Sequence, residues 1–129
     1  MILLDTHVLI WLASDPAKLS SSAAQAIRRA PREGGMAISA ITLWELAWIA
    51  AHHRVQITGT IEAYVNEITS RTSIRPITPE IAVMANRLPA DYSSDPCDCL
   101  IGATALAEGI PLVTKDRKIR TSRAITTIW

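Results

Sequence analysis

The sequence predicts an α/β fold of three layers, with a central parallel sheet of about five strands between helices. Three observations predict it. Short apolar runs of the buried-strand type occur at Ile2-Leu3-Leu4, Met36-Ala37-Ile38 and Leu112-Val113-Thr114, and runs of this kind belong to strands covered on both faces. Segments with helix start and stop signals alternate with them. The chain has 129 residues, 49% of them hydrophobic, which suits one domain with its own core and argues against disorder.

Taken in order, Ile2 to Leu4 is the first strand, and Asp5-Thr6 follows it. Val8 to Ala13 reads as a short apolar helix ending near Asp15-Pro16. The serines at 20 to 22 offer an N-cap for a helix through Ala30, closed by Pro31 and Gly34-Gly35. Met36 to Ile38 is the second strand, and Ser39 or Thr42 caps a helix running to about His53. Gly59 breaks the pattern before a helix from about Thr60 to Thr72. Ile74 to Ile77 reads as a third strand, placed at a sheet edge by Pro76, which cannot donate to a ladder. Thr78-Pro79-Glu80 and Asp95-Pro96 are helix starts, with the cap followed by proline at the first helical position. The second of these helices runs to Glu108, where Gly109 is a left-handed C-cap and Pro111 blocks continuation. Leu112 to Thr114 is the fourth strand, and Ile125 to Ile128 is the candidate for a fifth.

The formal net charge is +1, so the whole molecule is not a strongly basic nucleic-acid binder and any polyanion contact is local. Cys97 and Cys99 are two positions apart on a predicted helix. They do not face each other, and two thiols alone make no structural zinc site. That usage fits a reducing cytoplasm. No signal-peptide pattern and no apolar run of membrane-spanning length is present, so the expectation is a cytoplasmic protein with no membrane partner.

Chemistry is carried by acids. Asp5 follows the first strand and Asp116 the fourth. Ligands of open α/β sheets bind beyond the carboxyl ends of the strands, at a topological switch point. If strands one and four are neighbours, these two acids meet there. Glu45 lies near the start of the helix after strand two, and Asp98 in the first turn of the helix before strand four, both at that same edge. Clustered carboxylates repel, and burying them unpaired is costly. A hard divalent cation, magnesium or manganese, resolves this with oxygen ligands. It can position a phosphodiester, generate hydroxide and stabilise the leaving oxygen, with no histidine base.

Each acid also has a bland reading. Asp98 can be the third helical residue bonded to an Asp95 cap, Asp116 a turn residue and Asp5 a helix cap. Glu45 is harder to dismiss, because its helix is otherwise written Ile41, Leu43, Trp44, Leu46, Ala47, Trp48, Ile49 and a buried acid needs a partner. Lys115, Arg117, Lys118, Arg120 and Arg123 cluster after Asp116. Lys115 and Arg117 are the candidate substrate contacts, weighed evenly against a solvated basic tail. Trp11, Trp44 and Trp48 lie on predicted helices, the last two on one face, and are read first as core packing and second as a groove for a partner helix. His7, His52 and His53 are not read as ligands.

Asp5-Thr6-His7, the run Ile38 to Leu46 with Glu45 in it, the run Asp95 to Ala105 with Asp98 in it, and Leu112 to Asp116 together resemble the successive motifs of PIN-domain proteins. They are most similar to the VapC-type toxins of bacterial and archaeal toxin–antitoxin pairs. The likeness covers the whole chain, read as a single PIN domain over 1–129, and its specificity lies in the ordered set. It implies a magnesium-dependent ribonuclease (Mn2+ as an alternative metal) with Asp5, Glu45, Asp98 and Asp116 as catalytic and metal-binding acids. Thr6, Ser39 and Thr114 match small supporting polar positions. It further implies an RNA substrate, a homodimer, and a cognate antitoxin that inserts a segment into the acidic pocket. The cysteines at 97 and 99 stand where the family more often has an aromatic and an arginine.

The rivals fare worse. A receiver-type phosphoacceptor domain needs paired acids at the first strand, a dehalogenase-type phosphatase needs two aspartates spaced by one residue, and a nucleotide-binding module needs a Gly-rich loop. None of these is present. A non-catalytic PIN domain, or an RNA-processing one without an antitoxin, stays open as an alternative.

Overall fold

The computed structural model describes residues 1–129. Five strands, β1 (Ile2–Leu4), β2 (Met36–Ser39), β3 (Thr72–Arg75), β4 (Leu112–Val113) and β5 (Thr127–Ile128), form one sheet in the order β3-β2-β1-β4-β5. All four pairings are parallel. The helices are α1 (Thr6–Ser14), α2 (Ser21–Arg29), α3 (Ala40–Ala51), α4 (Ile61–Thr69), α5 (Pro79–Ala85), α6 (Pro96–Glu108) and α7 (Arg117–Ser122).

The period of two along β1 makes the layers. Ile2 and Leu4 join Ile38, Val113, the apolar side of α1 and α2, and Leu46 of α3 in one core. Leu3, between them, points to the other face and packs with Ala37, Leu112, Ile101 and Ala105 of α6, and Ile119 of α7. Both faces are therefore covered, as apolar parallel strands require.

Several expected boundaries move, most of all around the third strand; the first helix is longer than Val8 to Ala13 and the fifth strand shorter than Ile125 to Ile128. The helix expected to Thr72 ends at Thr69, and the third strand is Thr72–Arg75 rather than Ile74 to Ile77. Pro76 stops it, because a residue without N–H cannot extend the ladder to β2. The strand does lie at the sheet edge. The basic segment after Asp116 is a helix rather than a tail: Asp116 caps it and Ile119 is buried beneath it.

Starts and stops follow local chemistry. Ser20, Thr60, Thr78 and Asp95 each accept the N–H three residues on. Gly109 ends α6 at φ 65°, in the left-handed region that glycine enters without strain. Gly102, inside α6, has a packing role. A Cβ there would fall 2.2 Å from the Tyr92 hydroxyl oxygen and 2.8 Å from the ring carbon that bears it. Tyr92 is buried and donates its hydroxyl to the Asp98 carbonyl at 2.9 Å, so it cannot swing away freely. Gly102→Ala is expected to cost about 1–3 kcal/mol of stability by overpacking. Urea denaturation checks this, with a smaller loss expected in a Tyr92→Phe background.

Candidate active site

The adjacency of β1 and β4 puts Asp5 and Asp116 side by side in space. Asp5 follows β1, and its N–H bonds the Val113 carbonyl of β4 at 3.0 Å. Asp116 lies three residues beyond Val113. The strand order reverses here, since β2 and β3 lie on one side of β1 and β4 and β5 on the other. That is the switch-point crevice of an open sheet. The helix starts of α3 and α6 bring in Glu45 and Asp98. All four acids line one cavity of about 430 Å³, with His7, Trp11, Asp95 and Lys115.

Hydroxyls hold the acids. Thr114 donates to Asp5 Oδ2 at 2.6 Å and accepts the Asp116 N–H at 3.0 Å, so one side chain ties two acids together. Thr6 donates to Glu45 Oε1 at 2.6 Å. Ser39, buried at the N-cap position of α3, makes no bond to the acids; it accepts the Thr104 hydroxyl at 3.1 Å. Arg117 is exposed on α7 and is not among the lining residues.

Beside this convergence the capping reading of Asp95 and Asp98 holds, Asp116 is a helix cap rather than a turn residue, and Asp5 makes no cap bond. Asp95 accepts the Asp98 N–H at 3.1 Å, and Asp116 Oδ1 accepts the Ile119 N–H at 3.0 Å. Asp5 occupies the N-cap position of α1 without a side-chain cap bond, leaving its carboxylate to the cavity and Thr114. Trp44 and Trp48 correct the core-packing expectation. They are 57% and 40% exposed, and Trp48 stacks on His52 at 4.1 Å. Glu45 is consequently half-buried on a partly exposed helix.

Sequence reasoning missed Ser93. This buried side chain donates to Asp98 Oδ2 at 2.5 Å and accepts the Asp95 N–H at 3.2 Å, while its carbonyl accepts the Cys99 thiol at 3.1 Å. The only signal was its place two residues before a capping Asp-Pro. Ser93→Ala frees the Asp98 rotamer and is expected to weaken divalent-metal binding about 10- to 100-fold, the usual effect of losing an outer hydrogen-bond partner of a ligand. Titration calorimetry checks it, and unchanged affinity would rule out the brace.

The electrostatics are those of crowded acids. Burial pushes the Asp5 carboxyl upward, opposed by the Thr114 hydrogen bond and the His7 charge. Glu45 rises to about 7, first by burial and then through the charges of Asp5 and Asp98, against the Thr6 bond. Asp98 rises to about 6 by burial and by Asp5 and Asp95, against the Ser93 bond. The three ion pairs of the protein, Lys18–Asp15, Arg29–Glu33 and Arg75–Glu108, include none of the four acids.

The donor set is oxygen-rich and negatively charged, and it lacks a protein counter-ion. No three His, Cys, Asp or Glu side chains form a preformed metal-chelating group. Magnesium tolerates this, because it takes one or two carboxylates directly and keeps several waters. Cys97 and Cys99 are free. Burial and the charges of Glu45, Asp95 and Asp98 push the Cys97 thiol up to about 11, so it stays protonated and is no ligand for a hard cation. The residues present fit a hard divalent cation.

Residues 2–123 match the profile of the PIN domain. Over 130 residues the chain is 38% identical to ribonuclease VapC22 of Mycobacterium tuberculosis, spanning 99% of this chain and 98% of that protein. Its structure is similar to a chain of the promoter-bound VapBC2 complex of Rickettsia felis, with TM-score 0.76, 20% identity, and coverage of 98% of this chain and 97% of that one. It is also similar to a chain of a toxin–antitoxin complex from Klebsiella pneumoniae, with TM-score 0.65, 28% identity, and coverage of 90% and 87%. Sheet order, the motifs in sequence and a full-length relative agree: the chain belongs to the PIN-domain family, in its VapC group.

Proposed function

We propose that this protein is a magnesium-dependent endoribonuclease, a single PIN domain acting as the toxin of a toxin–antitoxin pair. The observation that carries the reading is the meeting of Asp5, Glu45, Asp98 and Asp116, from four separate segments, in one cavity where none of them is in an ion pair. The four would hold Mg2+, or Mn2+ in its place. A divalent cation held there would neutralise phosphodiester charge and lower the pKa of water.

The chain's own residues set the geometry. Thr114 fixes Asp5 against β4, Thr6 fixes Glu45 across α1 and α3, and Ser93 fixes Asp98 at the start of α6. Each hydroxyl occupies one carboxylate oxygen and leaves the other for the cation. Lys115 at the cavity, with Arg117 on the neighbouring helix, offers positive charge to RNA phosphates.

The 38% identity to a ribonuclease over the whole chain and the structural likeness to a chain of a toxin–antitoxin complex support the same reading. The exposed Trp44–Trp48 face is of the aromatic kind that anchors a partner helix, and it is assigned to the antitoxin. A homodimer and a cytoplasmic site of action complete the proposal. No helix is long and apolar enough to cross a membrane.

Sequencing RNA 5′ ends from cells expressing the protein or its Asp5→Asn variant tests it. New ends at discrete positions with the wild type alone are expected. Identical ends in both would overturn the nuclease reading.

A further inference from the structure

One wall of the acidic cavity is neither acidic nor accounted for by metal binding. Trp11 lines it together with His7 and Lys115. His7 and Trp11 are four residues apart on α1, on one helix face, with ring centroids 6.0 Å apart. Trp129 flanks Trp11 at 6.1 Å. Two lysine ammonium groups stand by the same ring, Lys115 Nζ at 5.5 Å and Lys18 Nζ at 5.9 Å from its centroid. Trp11 also packs on the apolar core beneath α1 and is half-buried, so the ring is held in place before any ligand arrives.

We propose that Trp11, edged by His7, is a stacking platform for an unpaired nucleobase beside the bond to be cut, with Lys18 and Lys115 taking the adjoining phosphates. This rests on the ribonuclease reading above and adds to it the side chains that receive the base next to the cut.

A polyanion entering a cavity lined by five carboxylates needs positive charge along its path, and the lysines supply it at the aromatic wall. Both are exposed. Lys18 has only a 4.0 Å surface pair with Asp15, and otherwise each rests on the ring by cation–π attraction. Both are free to exchange the ring for a phosphate, uncovering a π-face for a base. Aromatic faces flanked by cations bind unpaired bases with little regard to sequence, whereas bases stacked in a duplex offer no free face.

The test uses three proteins, each in an Asp98→Asn background with Mg2+ so that RNA survives: the parent, Trp11→Phe and Trp11→Leu. Binding of a fluorescein-free single-stranded oligoribonucleotide is followed by tryptophan quenching and by filter retention. Quenching in the parent that is largely lost in Trp11→Phe is expected, as is a Kd about tenfold weaker in Trp11→Leu with Phe close to the parent. Lys115→Gln should reduce the salt slope of log K by about 0.7, one phosphate's worth on a single strand. Quenching unchanged in Trp11→Phe overturns the proposal. So does equal affinity of the parent for single strand and for duplex. Trp11→Leu that binds the single strand as tightly as the parent likewise overturns it. Cleavage of the oligoribonucleotide by the otherwise unmodified protein separates the two levels. Normal metal-dependent cutting with unchanged Trp11 results rejects the platform alone, while no cutting at all rejects the nuclease reading beneath it.

Discussion

Asp98→Asn and Asp5→Asn are each expected to abolish RNA cleavage while making the metal-free protein melt a few degrees higher. The loss should exceed about 100-fold, beyond the 10- to 100-fold typical of an outer hydrogen-bond partner, because each change removes a charge that the cation needs. The gain in stability has the same origin. Asp5 is buried and Asp98 half-buried, both carboxyls are pushed upward by burial and neighbouring acids, and neither has a counter-ion. An amide of the same shape keeps an oxygen for the Thr114 or Ser93 hydroxyl and discards the repulsion. Such opposed effects mark a site built for function at the expense of stability. Cleavage assays and calorimetry on the same preparations check both halves. A variant that loses activity and melts lower would point to a structural role for that acid.

Metal is expected to stabilise the protein strongly near pH 8 and little near pH 5. Asp5, Glu45 and Asp98 all titrate above their ordinary values in the folded chain, Glu45 at about 7 and Asp98 at about 6. The folded state therefore holds protons that the unfolded state has released. For these groups, stability is greatest below the unfolded carboxyl range near 4 and falls as pH rises through about 6 to 7. A cation binds the deprotonated form, so its affinity rises across the same window with release of protons. Without metal the melting temperature should decline from pH 5 to pH 8, and with millimolar Mg2+ the decline should be offset at the upper end. Scanning calorimetry at the two pH values, with and without Mg2+, measures it. A metal-induced shift of equal size at pH 5 and pH 8 would contradict the carboxylate assignment.

The parts of the fold legible in the sequence were those written in local chemistry. Leu3 between Ile2 and Leu4 marked a strand buried on both sides, and the structure divides those side chains between two cores. Asp95-Pro96 and Gly109 marked both ends of α6 to the residue. Elements whose stability comes from packing were harder to see. The helix α7 has a single buried residue, Ile119, among basic neighbours, so no apolar period announced it. The edge strand β3 has one large apolar residue, Ile74, itself 47% exposed. Its limits come from pairing with β2, which a lone segment does not display.

The candidate site divides along the same line. The acids stood at strand and helix ends, where topology alone brings them together once β1 and β4 are neighbours. Thr6 and Thr114 sat beside them in sequence and do bond them. Ser93 and Trp11 carried no such mark, since their relation to the acids exists only in three dimensions. Trp44 and Trp48 show the converse failure: a shared helix face identifies neighbours but not whether protein or solvent covers them.

Cleavage of RNA by these carboxylates through a divalent cation is the core of the proposed function. Its most direct test is purified, antitoxin-free protein incubated with total cellular RNA in three conditions: with Mg2+, with chelator, and with chelator followed by excess Mg2+. Discrete fragments that appear, vanish and return across the three are the expected result. Fragments that persist in chelator, or none from folded protein that binds Mg2+ by calorimetry, would contradict it.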